Sequence, residues 1–551
     1  MISGRSLQKS LLTGSDAGGV RHDVVRLRRD GPAREAIRLG VKEGQSPWDM
    51  GTIVMAEGAV DEGDVLFATF EMRSVKSMTG QSLVNFICQG GAPGYAKSAM
   101  VRLSVGTEWA RFHLPFVAEN LYGKGESMAG FHLSLTDQTL EIADFQVLGY
   151  GPDFDIDSLP KTDLSCDGQA DDAPRRAEAA ERIDRLRKAD VEVEVVDAAG
   201  RPVEGARVEI EMIRHGFPFG TAVAVSKMLL DSEDGDRYRE ELNKNFNSGV
   251  FESAMKWKNH GTGTPEQIDA SLDLLEEARI TMRGHVLMWP GWDWVPDDIQ
   301  ERYKGDKAAF RKVMEDRVYD YTLRYKDRIQ DWDVVNEAFG VNDILKIYGE
   351  EVMIDWFNLA HRGNPDAVLY INDNDTLTAA DRDTRHMAAY EDQIEMLLDA
   401  GAPLGGIGTQ GHFSTSLQSP VDIWKLLDRF GRHGLPIRVT EFDVLHDDPQ
   451  VQADYQRDFL SAVFAHGSIA GFTMWGFWEG QHGRPQAALF DRDWNLRPHG
   501  EACRDLVYGE WWTDVSGETG RDGAFATRGF LGEHTVKVTG PTGGRSRRSW
   551  T

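Results

Sequence analysis

The chain is expected to be an α/β protein, a (β/α)8 TIM barrel preceded by an all-β sandwich of jelly-roll type. Three features of the text predict this. Over residues 214–510, eight short apolar runs alternate with segments of helical period, the pattern of a barrel built from eight strand–helix units. Seven of those runs end, at the same end, in a polar or aromatic residue. Residues 21–152, by contrast, are short alternating runs parted by glycine-rich turns, with no helical period.

Taken in order, residues 1–20 are polar with glycine and serine, and are expected to be a disordered N-terminus. Residues 21–152 are the sandwich, with strand-like runs at 24–28, 63–70, 100–105 and 140–145. Residues 153–190 are a linker and connector: proline, glycine and aspartate to about 173, then a charged, alanine-rich helix with leucine and isoleucine at helical spacing. Residues 191–213 make two alternating strands around Asp197-Ala198-Ala199-Gly200-Arg201-Pro202, a β-hairpin before the barrel. The eight barrel strands are expected at 217–225, 248–251, 281–288, 333–336, 367–372, 406–410, 437–440 and 471–475. Helical segments such as 265–278, 307–324 and 381–400 lie between them. An open doubly wound sheet would usually carry a glycine-rich phosphate turn after its first strand. None follows Val225, and Gly261-Thr262-Gly263-Thr264 lies in a loop after the second strand. Residues 511–551 are a C-terminal β extension, with short strands over 514–538 and a polar, basic tail from 542 that is expected to be loose.

Composition narrows the function. There are 89 acidic against 61 basic residues, a formal net charge of −28. That argues against nucleic acid as a partner, because phosphates need a basic surface, and against anionic membranes. A neutral polymer is compatible with it. Cys88, Cys166 and Cys503 are far apart and odd in number, so neither a disulfide framework nor a CxxC metal clip is present. No apolar run reaches membrane-spanning length. Residues 1–20 lack the apolar core of a signal peptide. That leaves open both retention in the cell and a leader upstream of this chain.

The polar strand ends converge once placed on a barrel, whose C-terminal strand ends form the active face. The second strand ends at Glu252, and the third carries His285 and leads to Trp289. The fourth ends at Asn336 and Glu337, and the fifth at Asn372 and Asp373. The sixth supplies Gln410 and His412, the seventh Glu441 and Asp443, the eighth Trp475, with Trp478 just beyond. Two glutamates on separate strand ends are what glycoside hydrolysis needs, one as proton donor and one as nucleophile or base. The donor must have a raised pKa and the other must stay ionised. The residues alone do not say which is which. His412 is placed to hold a carboxylate, Asp443 to orient that histidine, and Asn336 to bind a sugar hydroxyl. Two other readings use the same text. One is a metal hydrolase with His285, His412, Asp373 and Glu441 as ligands. Against it, the first strand offers no ligand and the histidines lack H-x-H or H-E-x-x-H spacing. The other is a polysaccharide-binding protein without hydrolysis, which would not need this whole set.

Residues 214–510 resemble glycoside hydrolase family 10, the endo-β-1,4-xylanase family. The resemblance rests on Phe246-Asn247, Glu252 with Lys256-Trp257, Arg283-Gly284-His285 with Trp289, and Trp332-Asp333-Val334-Val335-Asn336-Glu337. It continues through Tyr370-Ile371-Asn372-Asp373, Gly406-Ile407-Gly408 with Gln410 and His412, Thr440-Glu441-Phe442-Asp443, Trp475-Gly476 and Leu489-Phe490-Asp491. It implies a retaining, endo-acting xylanase with Glu337 as acid/base and Glu441 as nucleophile. Glu252, Lys256, His285, Trp289, Asn336, Gln410, His412, Asp443, Trp475 and Trp478 would be sugar-binding or supporting residues. No cofactor and no metal are implied; the partner is xylan, the chain a monomer, and the location secreted. Ser253, Pro290 and Gly483 depart from the family, which often has asparagine, histidine and a second tryptophan there. They bear on substrate fine structure rather than on reaction type. Residues 21–152 are similar to the carbohydrate-binding modules attached to such enzymes. Trp48, Trp109 and Tyr122 are candidate sugar platforms there, or else sandwich core.

Overall fold

The computed structural model describes residues 11–13, 21–27, 34–42, 48–77, 82–91, 94–105, 109–135, 137–162, 174–379, 384–413, 417–446 and 448–550. Residues 163–173, the core of the expected linker, lie outside that set, as do residues 1–20 apart from 11–13. Leu11–Thr13 is a strand paired with Gly51–Met55, so this part of the expected disordered N-terminus is ordered. The chain divides into two compact units, one in the main spanning residues 1–165 and the other the remainder.

The first unit is a sandwich of two five-stranded antiparallel sheets. One runs in the order Leu11–Thr13, Gly51–Met55, Ser127–His132, Ser82–Gly90, Lys97–Val105. The other runs Arg21–Arg26, Glu35–Val41, Gln138–Gly151, Val65–Ser77, Ala110–Val117. Alternation along each strand sends one set of side chains into the space between the sheets. Phe70 lies at its centre, with ring centroids of Phe131, Phe112, Phe86 and Phe145 at 4.9 to 6.0 Å. Of the three expected platforms, Tyr122 is 5% exposed, and its hydroxyl bonds Ser98 Oγ at 2.8 Å and the Ala96 carbonyl at 3.0 Å. Trp109 is partly covered, with the Arg73 guanidinium 5.1 Å from its ring centre. Only Trp48, at 61% exposure, stands open.

The second unit is a closed barrel of eight parallel strands: β1 Phe219–Val223, β2 Ser248–Phe251, β3 Thr281–Gly284, β4 Ile329–Asn336, β5 Val368–Asp373, β6 Gly406–Phe413, β7 Ile437–Val444 and β8 Ile469–Met474. β8 closes on β1 through Phe219 opposite Phe472. The strands are buried almost throughout, as parallel strands covered by helices must be. Helices begin where capping residues stand: Thr264 and Gln267 form a capping box before Pro265–Glu277, and Asp448 caps Pro449–Phe464. At Gly284 a Cβ would lie 2.1 Å from the Trp332 indole, so only glycine lets β3 and β4 approach here. Beside it a charged layer crosses the barrel interior. Arg283, 2% exposed, bonds Asp331 at 2.5 Å and Asp333 at 2.7 Å, and Arg438 lies 3.2 Å from Asp331. Charges this deep are tolerated only when paired in this way.

The expected hairpin at 191–213 forms only at its tip, where Asp197 N–H donates to the Arg201 carbonyl at 2.9 Å and Val203 N–H to the Val195 carbonyl at 3.0 Å; its longer arms part. Lys188–Glu194 pairs with Ala524–Phe530, whereas Arg207–His215 lies between Asp514–Glu518 and Gly532–Thr539 in a different sheet. Each strand has one apolar face. Placed in opposing layers, Val191 and Val193 meet Val208, Ile210, Phe525 and Val536 in a common core. A lone hairpin would have left both faces in water. The expected loose tail is also ordered, because Arg545–Trp550 is a strand paired with Gly532–Thr539.

Candidate active site

The C-terminal ends of the strands bring both glutamates into one hydrogen-bond network. β4 ends at Asn336, and Glu337 turns out of the strand with φ 52°, a left-handed conformation costing a non-glycine residue about 1–2 kcal/mol. The turn is braced at both ends: Glu337 N–H donates to the Asn372 carbonyl at 2.9 Å, and Val341 N–H to the Glu337 carbonyl at 2.9 Å. Asn372 Nδ2 donates to Asn336 Oδ1 at 2.8 Å and to Glu441 Oε1 at 3.1 Å. Gln410 Nε2 donates to Asn336 Oδ1 at 3.2 Å and to Glu337 Oε1 at 3.0 Å. Asn336 Oδ1 is thus used twice, while its Nδ2 is buried with no partner among the described residues, a donor waiting for an acceptor.

The two carboxyl groups sit in different surroundings. Burial pushes the Glu337 carboxyl above the usual range; the Gln410 amide opposes this, while Glu441 and Asp373 add to it. Glu441 Oε2 instead faces His412 Nε2 at 3.3 Å. His412 Nδ1 lies 3.2 Å from Asp443 Oδ2, and Arg484 holds the other Asp443 oxygen. Burial disfavours the imidazolium, yet hydrogen bonds and charge from Asp443 and Glu441 override it and push His412 up to about 10. The alternation of β7 puts Glu441 and Asp443 on one face, opposite Gln410 and His412 of β6.

Lys256 closes the Glu441 side. Its Nζ lies 5.0 Å from the Trp289 ring centre, 5.7 Å from Trp294 and 5.9 Å from Trp475. Burial lowers its pKa against the pull of Glu441, Glu252 and Glu337. Glu252 accepts from Gln481 Nε2 at 3.3 Å. His285 Nδ1 lies 3.0 Å from Asp333 Oδ2, whose other oxygen is tied to Arg283, so the charged barrel layer orients the ring. The His285 ring meets Trp475 edge-on at 5.3 Å.

Of the residues singled out from the sequence, Lys256, His285, Trp289, Asn336, Glu337, Gln410, His412, Glu441, Asp443 and Trp475 are linked by these contacts together with Trp475 edge-on to His412 at 6.4 Å, while Glu252 contacts Gln481. Trp478 is not an open sugar platform. It is 4% exposed and stacked on Trp494 at 4.5 Å, with Lys227 over its ring, so its part is packing. Gly483 leaves open space, with nothing within 4 Å of where a Cβ would stand. The metal-ligand reading fails on geometry. Asp373 binds His386, His285 binds Asp333, His412 bridges Glu441 and Asp443, and no metal-holding cluster forms among the described residues. Sequence reasoning missed Trp294, which stacks on Trp289 at 3.7 Å, and Arg484 and Gln481, which brace Asp443 and Glu252. The Trp289-Pro290-Gly291-Trp292-Asp293-Trp294 run carried a signal for the first. Nothing local marked the other two.

The family model for glycosyl hydrolase family 10 matches residues 210–505. Anti-sigma-I factor RsgI6 of Acetivibrio thermocellus is 30% identical over 373 residues, covering 67% of this chain and 47% of that protein. Endo-1,4-beta-xylanase 1 of Arabidopsis thaliana is 30% identical over 363 residues, covering 65% of this chain and 37% of that protein. The crystal structure of native xylanase 10B from Thermotoga maritima is 25% identical with a TM-score of 0.48, covering 53% of this chain and 95% of that one. The chain spans less than half the length of the two curated relatives. No helix among the described residues is long and apolar enough to cross a membrane. Because the family model accounts for more than half of the chain, barrel strands and paired glutamates included, the chain belongs to glycosyl hydrolase family 10.

Proposed function

We propose that the chain is a retaining, endo-acting glycoside hydrolase that cleaves β-1,4-xylosidic bonds in xylan by double displacement. The observation that carries this is the asymmetry of the two glutamates: Glu337, partly buried, faces a neutral amide, whereas the buried Glu441 sits among the donors of Asn372 and His412 with Lys256 nearby. In the first step a Glu441 oxygen attacks the anomeric carbon, the bond to the leaving oxygen breaks, and Glu337 gives that oxygen its proton. In the second, Glu337 takes a proton from water, the water oxygen attacks the same carbon, and Glu441 leaves as carboxylate. Asn336 Nδ2 is suited to donate to a sugar hydroxyl. Lys256, His285, Trp289 and Trp475 would line the sugar bound beside Glu441. Relatives whose names are endo-1,4-beta-xylanase support the substrate, and a secreted monomer needing no cofactor is the accompanying reading.

The test is product analysis on xylan with chelator present. Wild type is expected to release xylo-oligosaccharides, and Glu441→Ala to lose turnover with its fold unchanged. Wild-type turnover in Glu441→Ala would sink the nucleophile. No release from any xylan by wild type would favour a polysaccharide-binding protein or another β-glycan as substrate.

In the sandwich we propose a groove for a β-linked glycan chain, on the outer face of the sheet that contains Ser82–Gly90. Trp48 and Tyr95, 61% and 49% exposed, border a cavity of about 470 Å³ floored by Ile53, Ile87 and Met128. Gln89 Oε1 and His132 Nδ1 are buried there with no partner among the described residues. Burial, with Lys97 adding to it, pushes His132 down to about 4, so it is neutral at pH 7. Open aromatic faces with a neutral amide and imidazole between them, beside Lys97, suit a neutral sugar polymer.

A further inference from the structure

We propose that Phe339, stacked on His386, is the platform for the sugar on the leaving-group side of the scissile bond, an inference that rests on the hydrolase reading above. Phe339 follows Glu337 by two residues, in the turn that leaves β4, and 39% of it is exposed. The exposed phenyl ring has one ring contact among the described residues, on His386. Its position is nonetheless fixed. The His386 imidazole covers it at a centroid distance of 4.4 Å, with the planes 18° apart. The backbone of the turn is braced by Val341 N–H on the Glu337 carbonyl and by Asn342 Nδ2 on the Phe339 carbonyl at 2.7 Å.

His386 is clamped in turn. Its Nε2 lies 2.9 Å from Oδ1 of Asp373, a fully buried carboxylate at the end of β5 that also accepts from Asn374 N–H at 2.8 Å. Burying a carboxylate at a strand end is costly, and here it anchors the ring behind Phe339. Asp373, Asp375 and Glu337 are the carboxylates whose charge reaches His386. Lys256 Nζ lies 5.9 Å from the Trp475 ring centre, and Trp475 meets edge-on, at 6.4 Å, the His412 ring that faces Glu441. The groove therefore has two ends. Lys256, Trp289 and Trp475 belong to the Glu441 end, where the sugar that becomes attached to the enzyme must sit. Phe339 and His386 belong to the Glu337 end. A general acid stands beside the oxygen it protonates, so the sugar on that oxygen lies at the Glu337 end. A β-xylopyranose ring has no C6 group and presents a flat C–H face, which an unhydroxylated phenyl ring matches.

Xylohexaose and β-xylobiosyl fluoride separate the two ends, because the fluoride fills only the Glu441 end and its leaving atom needs no sugar platform. For Phe339→Ala, kcat/KM on xylohexaose is expected to fall about tenfold or more, while that on the fluoride stays within about twofold. Phe339→Trp should keep xylohexaose cleavage and shift the distribution of its products. Equal losses on both substrates would reveal a structural role and overturn the platform. So would wild-type xylohexaose cleavage in Phe339→Ala. Wild type inactive on both substrates would overturn the hydrolase reading itself, and the platform with it.

Discussion

Glu337 and Glu441 are chemically identical, and their surroundings separate them. Burial lifts the Glu337 carboxyl, with the charge of Glu441 adding to the effect, so it keeps a proton to higher pH than an exposed glutamate. If it is the general acid, turnover on xylan falls as pH rises through that raised pKa, because the deprotonated form has no proton to give. In Glu337→Gln this alkaline limb should vanish from the pH profile. Turnover on xylan should drop by about 10²–10⁴-fold, with a smaller loss in bond cleavage for a substrate with a good leaving group. A carboxyl whose folded pKa lies above its unfolded value destabilises the fold once pH exceeds that unfolded value, and the cost is absent at lower pH. Glu337→Gln should therefore raise the melting temperature at pH 7 and not at pH 3, as calorimetry would show. A lower melting temperature for the variant at pH 7 would contradict the burial argument.

At the scale of elements, the site depends on strands that present one face to the groove and the other to a helix. On β7, Glu441 and Asp443 face the groove network while Phe442 between them points the other way. Phe442 stacks on Phe459 of the helix Pro449–Phe464 at 4.5 Å, and Phe413 and Phe472 lie within 5.2 and 6.4 Å of that same Phe459 ring. Phe459 is fully buried, so Phe459→Ala should cost about 3–5 kcal/mol in denaturant unfolding. A loss under about 1 kcal/mol would mean that the cluster does not brace β7. The alternation that sets β7 was legible in the sequence, as were the eight strands and the polar residues closing them. The strands around Asp197 and the turn between them were legible, but not the pairing of their longer arms. Their partners, Ala524–Phe530 and Asp514–Glu518, are more than 300 residues away, and no local turn records a pairing at that distance. The basic tail read as loose from its composition, yet Arg545–Trp550 turns back at Gly540 to Gly544 onto the edge of Gly532–Thr539, which gives it its hydrogen bonds.

Across the whole molecule, the net charge of −28 fits a neutral polymer for both units. If the sandwich groove holds such a chain, Trp48→Ala together with Tyr95→Ala should abolish retention of the full chain on insoluble xylan. Cleavage of soluble xylohexaose should stay within about twofold, because the barrel residues are untouched. Pull-down with xylan and a kinetic assay check the two halves of this expectation, and undiminished retention would remove the groove from the account. Trp48 was visible in the sequence as a candidate. Trp109 and Tyr122 were equally visible and are covered. Exposure is decided by the neighbours that the sheets bring together: Arg73 over Trp109, Ser98 and the Ala96 carbonyl on the Tyr122 hydroxyl.

By itself the sequence determined the architecture and placed two glutamates at the ends of buried strands. Strand and helix periods are local properties of the chain, and a carboxylate at the end of a buried strand has few places to go. Only the tertiary structure decided what each carboxylate experiences. Gln410 on Glu337, Asn372 and His412 on Glu441, Arg484 on Asp443 and His386 on Asp373 come from four other places in the chain. Charge and hydrogen bonding act over a few ångströms of space, whatever the separation in sequence. That is also why Phe339, unremarked in the sequence, stands out once His386 is found behind it.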